Sequence, residues 1–390
     1  MVVARPSRFG ALLLIVALSL TACVPAAPPA PGAGGAPTVR PELRLALTSF
    51  GNESLDPIKA LTDNERFLKL IFDPLVGSDR KGEQLSKETG IAEDWTISAD
   101  GLTYTFKIRQ GVTFHNGDPV TAEDVKFSLD RYQLPDAVTP NTARIRGLID
   151  TITVKSPTEV EVRLKAPSLM FLNVISNLVD PGGLIVPKKY IESVGAAAFG
   201  EKPIGSGPYK FVERQTGAQI TLEKALPRHF AIGQTRFERV TLRLVAEEST
   251  RLAMLRAGDA DFIDVGIDKV PDLEKEKYRI FRHNGLSPLY VVLQLRPGDV
   301  TQDINVRKAM AQAINREELN RTLLNGLGEP TGNIWPGVGQ AIPPTAHDPE
   351  AAKQSLAQAG YGPAKPVQLT MQVSPAAGWP DTADVRIVMN

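Results

Sequence analysis

The side chains best suited to acid–base or metal chemistry in this sequence are its four histidines. These histidines are His115, His229, His283 and His347. None of them lies in an HExxH pattern or has a cysteine or second metal ligand at a usual spacing. No GxSxG pattern marks a nucleophile elbow. Aspartate and glutamate are abundant, but the sequence does not pair two of them as acid and base. We therefore expect no catalytic residue, no metal site and no cofactor, which favours a binding protein over an enzyme.

Cysteine chemistry is confined to one residue, Cys23. A single cysteine excludes an intramolecular disulfide and a thiolate metal cluster. Residues 20–23 (LTAC) place small side chains before the thiol, and the apolar run 11–20 has the length of a signal-peptide core. We predict a signal peptide over residues 1–22 and acylation of Cys23 with diacylglycerol. The alternative is an ordinary secretory signal followed by an incidental cysteine.

Composition and charge narrow the class of protein further. Residues 23–41 are rich in Pro, Ala and Gly, which favours a flexible tether over a packed core. Lys+Arg and Asp+Glu both number 44, so no basic excess points to a nucleic-acid partner. Beyond Cys23, no segment approaches the roughly 20 apolar residues of a membrane-spanning helix. The length of 390 residues predicts two or more structural units.

Two glycine-containing motifs have both a functional and a structural interpretation. Residues 115–118 (HNGD) are typical of a turn, so we interpret His115 as a turn residue; the alternative is a ligand or metal contact. Residues 205–207 (GSG) resemble part of a phosphate-binding loop. Pro208 and a strand pattern follow them, where a phosphate loop needs a helix, so we favour a structural role.

The hydrophobic pattern alternates between strand and helix periods along the chain. Strands are predicted at 43–47, 103–108, 151–154, 159–164, 219–222, 240–245 and 289–295. The strands at 151–154 and 159–164 are predicted to form a hairpin around residues 156–157. Helices are predicted at 64–76, 123–132, 249–257, 305–314, 317–324 and 348–360. Residues 121–124 (TAED) indicate a capping box at the start of the second of these helices. This mixture predicts an α/β fold. Residues 382–390 begin a further helical pattern without a stop signal, which we interpret as an element cut short.

A series of motifs then runs along the chain in a fixed order. They are residues 55–57 (LDP), 92–95 (AEDW), 100–106 (DGLTYTF), 108–118 (IRQGVTFHNGD), 121–125 (TAEDV), 203–211 (PIGSGPYKF), 307–317 (RKAMAQAINRE) and 348–361 (DPEAAKQSLAQAGY). Together they resemble the family 5 extracellular solute-binding proteins, the peptide- and nickel-type receptors of ABC importers. Each motif alone is moderately specific, whereas the ordered set is highly specific.

The resemblance implies a two-lobed, type II-like periplasmic-binding-protein clamp with an extra subdomain in its first lobe. On that basis we expect lobe one at residues 42–284, with the inserted subdomain at roughly 60–200. Residues 285–390 are expected to form a partial lobe two. Relatives in this family run longer, so lobe two is expected to be truncated at its C-terminus.

Candidate ligand contacts follow from the fold that the resemblance implies. The loop after the first strand contains Ser49, Phe50, Gly51 and Asn52, and ligands in open α/β sheets bind beyond the carboxyl ends of strands. Related receptors place cleft residues in this loop. Tyr290 and Trp335 are candidates for stacking on a ligand, with core packing as the alternative for both. The resemblance implies that the charged residue anchoring a peptide terminus in peptide-binding relatives would lie in the C-terminal segment expected to be missing, so no residue is assigned to that role.

The expected function is that of an extracytoplasmic, lipid-anchored receptor, in the periplasm or on the outer face of the cell membrane. Its partners would be a small-molecule or peptide ligand, an ABC permease and ATPase, and the membrane through the N-terminal lipid. Oligopeptides or dipeptides are the expected ligands, because extended peptides can be held through their backbone groups. Nickel chelates or oligosaccharides are alternative ligands, and sensing through a membrane receptor is an alternative role.

Overall fold

The computed structural model describes residues 40–79, 84–176, 182–281, 291–333, 342–371 and 385–389. The strands in these ranges are β1 (Arg40–Leu47), β2 (Gly77–Ser78), β3 (Leu85–Ser86), β4 (Ala92–Ile97), β5 (Thr103–Ile108), β6 (Ile149–Ser156), β7 (Glu159–Leu164), β8 (Tyr209–Gln215), β9 (Gln219–Lys224), β10 (Arg228–His229), β11 (Gly233–Gln234), β12 (Phe237–Leu244), β13 (Phe262–Ile263), β14 (Val367–Met371) and β15 (Val385–Met389). The α-helices are α1 (Glu65–Ile71), α2 (Ala122–Tyr132), α3 (Thr142–Leu148), α4 (Phe171–Val174), α5 (Lys188–Val194), α6 (Ala196–Glu201), α7 (Glu248–Ala257), α8 (Val270–Lys275), α9 (Ile304–Ala313), α10 (Arg316–Leu323) and α11 (Pro349–Gln358).

A five-stranded mixed sheet has the order β13-β1-β12-β9-β8. Its first three strands are parallel: Leu45 of β1 lies opposite Leu242 on one side and Phe262 on the other. β12, β9 and β8 continue the sheet in antiparallel pairs. Apolar side chains of this sheet form a core with α1, in which Leu242 is fully buried. The strands predicted at 43–47, 219–222 and 240–245 are confirmed.

A four-stranded antiparallel sheet has the order β4-β5-β7-β6 and a separate core. The predicted hairpin is present, with Val154 of β6 opposite Val160 of β7. Helix α2 packs against this sheet and begins with the predicted capping box, in which the Asp124 carboxylate accepts from the backbone N–H of Thr121 at 3.0 Å. Buried and half-exposed side chains alternate along β5 and β7, so one face of the sheet is buried and the other is half-exposed.

A buried ion pair links the segment after β1 to helix α2. Asp56, from the LDP motif, receives two hydrogen bonds from the Arg131 guanidinium, at 3.1 and 2.6 Å, and both side chains are 6% exposed. The bidentate geometry satisfies both carboxylate oxygens. Because Leu55 belongs to the core of the five-stranded sheet and Leu129 to that of the four-stranded sheet, the pair ties the two cores together.

Helix α1 ends earlier than its sequence pattern predicts. The periodicity extends to residue 76, but the helix stops at Ile71, whose carbonyl accepts from the Gly207 N–H at 2.8 Å. Pro74 follows closely and disfavours helical backbone before it. A long-range contact and a nearby proline thus end the helix, while Phe72, Leu75 and Val76 are buried beyond its end.

The described residues between 291 and 371 include helices α9, α10 and α11 and a small core. Helices α9, α10 and α11 match the predictions: Asn315 caps α10 by accepting from the Glu318 N–H at 3.0 Å, and Asp348 caps α11. The buried strand predicted at 289–295 is wrong over its described part, residues 291–295. These residues form no strand, and Val292 is 68% exposed. No described strand pairs with them, so Val291, Val292 and Leu295 remain exposed and Leu293 is half-buried.

The helical pattern predicted at residues 382–390 is wrong over its described part, residues 385–389. Residues Val385–Met389 form β15, which pairs antiparallel with β14, with Leu369 opposite Ile387. The segment VRIVM is rich in β-branched residues, which favour strands over helices because a helix restricts their side-chain rotamers. Strand pairing therefore decides the structure of this segment.

Candidate ligand-binding site

Three parallel strands end at the same edge of the five-stranded sheet. β1 ends at Leu47, β12 at Leu244 and β13 at Ile263, and these residues lie close to one another in register. The loops that follow the three strands therefore share one edge. In open α/β sheets this carboxyl edge is where ligands bind, so we take it as the candidate site.

The loop after β1 is a tight turn with a fixed shape. The Ser49 hydroxyl accepts from the Gly51 N–H at 2.9 Å, and the Glu53 N–H donates to the Phe50 carbonyl at 3.0 Å. Gly51 has a φ of +61°, and a Cβ there would lie 2.1 Å from the Asn64 side chain. Only glycine combines this left-handed backbone with so close a neighbour.

The four predicted contact residues in this loop have different roles. Ser49 is half-buried, and Gly51 and Asn52 are exposed, whereas Phe50 is 2% exposed and packs edge-to-face on Phe67 at 6.0 Å between ring centroids. The Asn52 side-chain amide donates to the Lys59 carbonyl at 2.8 Å and thereby holds the loop itself. The structure thus brings Ser49, Gly51 and Asn52 to the surface of the edge and places Phe50 in the core.

Asn64, which precedes α1, holds the loop from beneath. It is fully buried, and its amide donates to the Asn52 side chain and to the Ser54 carbonyl, both at 2.9 Å. The side-chain oxygen of Asn64, Oδ1, accepts from the Leu61 N–H at 3.1 Å. Because every polar atom of this amide has a partner, the loop is held in one arrangement.

Two charged residues at this edge were not predicted from the sequence. The Asp264 carboxylate, just after β13, accepts from the Thr48 N–H at 3.1 Å and pairs with the Arg66 guanidinium. Arg66 and Asp264 are separated by 198 positions, so no local pattern indicates that they meet. Recognising β13 as a strand parallel to β1 was the one signal that would have placed Asp264 beside Thr48.

Arg251 of α7 fixes the loops after β12 and β13 from inside. It is 4% exposed and donates to the carbonyls of Val245, Ala246 and Asp264 at 2.7, 2.6 and 2.8 Å. Glu248 accepts from the Gly266 N–H at 2.5 Å. These bonds satisfy backbone groups that follow the strand ends, so the edge is preorganised.

His115 serves the structure, in agreement with its interpretation as a turn residue. Its Nε2 lies 2.9 Å from the Gly207 carbonyl, and its Nδ1 accepts from the Gly205 N–H at 3.3 Å. This arrangement requires a neutral ring with the proton on Nε2. Burial lowers the pKa of His115 below its ordinary value, which favours the same neutral form. Segment 205–207 therefore forms hydrogen bonds with the His115 ring and with the end of α1.

Asp73, Ser206 and His229 form a buried polar cluster that resembles a catalytic triad only in composition. The Ser206 hydroxyl donates to the Asp73 carboxylate at 2.8 Å, and His229 Nε2 lies 3.2 Å from the same carboxylate oxygen. The serine hydroxyl therefore bonds to the acid, while His229 Nε2 reaches Ser206 only through its backbone carbonyl, at 3.2 Å; all three side chains are buried. A nucleophile needs a base beside it and access to substrate, so this cluster is structural.

The other predicted residues lie outside the described ranges. These are the lipidation site Cys23, the stacking candidates Tyr290 and Trp335, and His283. Among the described residues no group of His, Cys, Asp and Glu is arranged to hold a metal ion, and no helix is long and apolar enough to cross a membrane. An open depression of about 600 Å³ lies between α6 and the edge strand β8, but its Arg214 and Glu201 already pair with each other at 2.8 Å.

Comparisons with known sequences give a consistent result. The family model "Bacterial extracellular solute-binding proteins, family 5 Middle" matches residues 88–385. The glutathione-binding protein GsiB of Escherichia coli K12 is 29% identical over 316 residues, which cover 79% of this chain and 59% of GsiB. GsiB of Shigella boydii has the same identity and coverage. The chain thus spans about 59% of the length of these relatives.

Comparisons with solved structures give the same fold. HbpA2 from Haemophilus parasuis matches with a TM-score of 0.69 and 25% identity, over 82% of this chain and 67% of that one. DppA from Helicobacter pylori, solved with the peptide STSA, matches with a TM-score of 0.65 and 26% identity, over 83% and 67%. The predicted α/β, two-lobed binding-protein fold and the expected non-enzymatic class are thereby confirmed. By its sequence and its fold, the chain belongs to family 5 of the bacterial extracellular solute-binding proteins.

Proposed function

We propose that this protein captures short peptides outside the cytoplasm and delivers them to the permease and ATPase of an ABC importer. The observation that carries the proposal is the family match over residues 88–385. A preorganised carboxyl edge supports it, because a binding protein must hold its ligand groups in place before the ligand arrives. On this proposal residues 42–284 form lobe one, with the inserted subdomain at roughly 60–200, and residues 285–390 contribute to lobe two.

The choice of short peptides rests on the relatives. GsiB is named for glutathione, a tripeptide, and DppA was solved with the peptide STSA. The nickel–histidine receptor NikZ from Campylobacter jejuni is 22% identical, so its likeness speaks for the fold alone. In the proposed mode, Ser49, Gly51 and Asn52 line the lobe-one side of the ligand, and Tyr290 and Trp335 stack on or cover it.

Calorimetric titration of the purified protein tests this function. We expect saturable binding of glutathione or STSA and no binding of nickel–histidine. Saturable binding of nickel–histidine, with no response to either peptide, would contradict the peptide proposal. Binding of none of the three would contradict small-solute capture as a whole.

We also propose that Cys23 carries the lipid that anchors the protein to a membrane. The support is the sequence of residues 20–23 and the tether at 23–41. Several acyl chains on one residue hold a protein on a membrane far better than one chain does. Mass spectrometry of the protein from its native cells should find Cys23 as an acylated N-terminus. An unmodified Cys23, or cleavage at another bond, would refute the anchor.

A further inference from the structure

The Arg66–Asp264 pair at the carboxyl edge has unused capacity for a ligand. Asp264 Oδ2 receives both the Thr48 N–H and one guanidinium nitrogen of Arg66. Within the described ranges, the other Arg66 nitrogens donate to no protein acceptor, and 35% of the side chain is exposed. A guanidinium has five N–H donors in a rigid fork, so it can bind a second carboxylate while one edge stays paired.

The surroundings hold this guanidinium in place. Asp264 orients it from one side, and the Asp264 carbonyl is itself fixed by the buried Arg251 at 2.8 Å. Arg66 follows Asn64 by two positions, and Asn64 clasps the loop that contains Asn52. Arg66 is therefore mounted on the elements that shape the candidate site, and fixing a charged group in advance lowers the cost of binding an opposite charge.

We propose that Arg66 is the carboxylate-binding residue of lobe one and that Asp264 is its positioning residue. The inference rests on the proposed function, because its ligand is a short peptide with a free carboxylate. The carboxylate would lie against the outward edge of the guanidinium, next to Thr48 and Ser49. If the pair had a purely structural role and only fastened the loop after β1, removing it would weaken the binding of all ligands of the same shape equally.

The test compares each peptide with a form in which one carboxylate is neutral. The probes are STSA with its C-terminal amide, and glutathione with its glycine ethyl ester, titrated calorimetrically. The wild type should bind the acid about tenfold more tightly than the neutral form, the effect of one charge-assisted hydrogen-bonded pair. In Arg66→Gln this preference should disappear, while the neutral form binds as before.

Two further variants keep the result interpretable. Arg256→Gln removes a comparable surface pair, with Glu276 at 2.6 Å, from the last turn of α7 and should leave the preference unchanged. Arg66→Lys keeps the charge without the fork and should retain part of the preference, which answers the question if Arg66→Gln does not fold.

The outcomes separate this inference from the function on which it rests. If the wild type binds peptides but Arg66→Gln keeps the full preference, the subsite is wrong and the function stands. If Arg66→Gln weakens acid and neutral forms equally, the pair is structural and the subsite is again wrong. If the wild type binds neither peptide pair, the subsite and the proposed function both fail.

Discussion

His115 binds two peptide groups of the segment 205–207 with the two nitrogens of its ring. One nitrogen accepts a hydrogen bond and the other faces a carbonyl, so the ring must be neutral. Among the charged or titratable groups that act on His115, Asp73 raises its pKa, whereas His229 and Lys210 lower it. Burial has the largest effect and lowers this pKa. The stability contributed by His115 therefore depends on pH.

The sign of that dependence follows from the lowered pKa. In the unfolded chain His115 takes up a proton below about pH 6.5, whereas the folded protein resists protonation until a lower pH. Its contribution is therefore fully present above about pH 6.5 and is lost as the pH falls below that value. We expect His115→Gln to lower the free energy of unfolding by about 1–3 kcal/mol at pH 7.5, from the lost hydrogen bonds.

Urea unfolding of both proteins at pH 7.5 and pH 5 measures this effect. The difference in unfolding free energy between wild type and His115→Gln should shrink at pH 5, because the wild type alone loses the contribution. Titration of other groups cancels in the difference. If the difference in unfolding free energy stays constant or increases at pH 5, His115 is not held neutral in the folded protein.

At this scale the sequence indicates roles when the partners are local. The turn at residues 115–118 and the capping box at Thr121 were predicted, because their hydrogen bonds span only a few positions. The bond from Ser206 to Asp73 spans 133 positions, and that from Arg66 to Asp264 spans 198. Such partners become visible only once the sheets are assembled, so the candidate site was predicted only in its local loop.

Among the elements, the end of helix α1 depends on two glycines. A Cβ at Gly205 would lie 1.9 Å from the Ile71 carbonyl oxygen, and a Cβ at Gly207 would lie 2.5 Å from that of Leu70. These neighbours are backbone atoms of a packed helix and cannot move aside cheaply. The helix and the segment 205–207 therefore fit together only without side chains at these two positions.

We expect Gly207→Ala to lower the free energy of unfolding by about 2 kcal/mol or more, because overpacking against fixed backbone strains both segments. Gly147→Ala is the matched control. A Cβ at Gly147, an exposed position of helix α3, has no neighbour within 4 Å, so alanine there should stabilise the protein by roughly 0.5–1 kcal/mol through its helix propensity. Thermal and urea unfolding measure both. Equal effects of the two substitutions would contradict the close-packing argument.

The elements that were predicted correctly share strong local signals. Helices α2, α10 and α11 have caps, and the hairpin of β6 and β7 has a turn between alternating runs. The errors fall on apolar runs without such signals, at residues 291–295 and 385–389. There the presence or absence of a partner strand decides the structure, and a short apolar run does not reveal its partner.

Over the whole molecule, buried apolar side chains are distributed unevenly. Large cores lie under the five-stranded and four-stranded sheets and include fully buried residues such as Phe67, Phe106 and Leu222. The cluster around α9 and α11 is small; its buried members are Val306, Ala309, Ala352, Leu356 and Val367. Fewer buried contacts predict lower local stability in this part of the described chain.

Hydrogen exchange followed by mass spectrometry should resolve this difference. We expect amides of β5, β7, β9 and β12 to exchange at least about tenfold more slowly than those of α9 and α11, since local opening there breaks fewer apolar contacts. Added ligand should protect the loops after β1 and β13 if the carboxyl edge binds it. Equal protection of both regions without ligand would contradict the uneven distribution of stability.

The parallel pairing of β1 also determines the order in which the chain can fold as it is synthesised. Glu42 of β1 and Thr241 of β12 hydrogen-bond to each other across 199 positions, and Arg44 contacts Asp261 across 217. The four-stranded sheet, by contrast, is complete once residue 164 has been made. Of the described strands, β1 is synthesised first but is among the last to find its neighbours, so it stays unpaired while the four-stranded sheet forms. During synthesis the backbone groups of β1 therefore lack their sheet partners until the chain has grown by 199 positions, from Glu42 to Thr241.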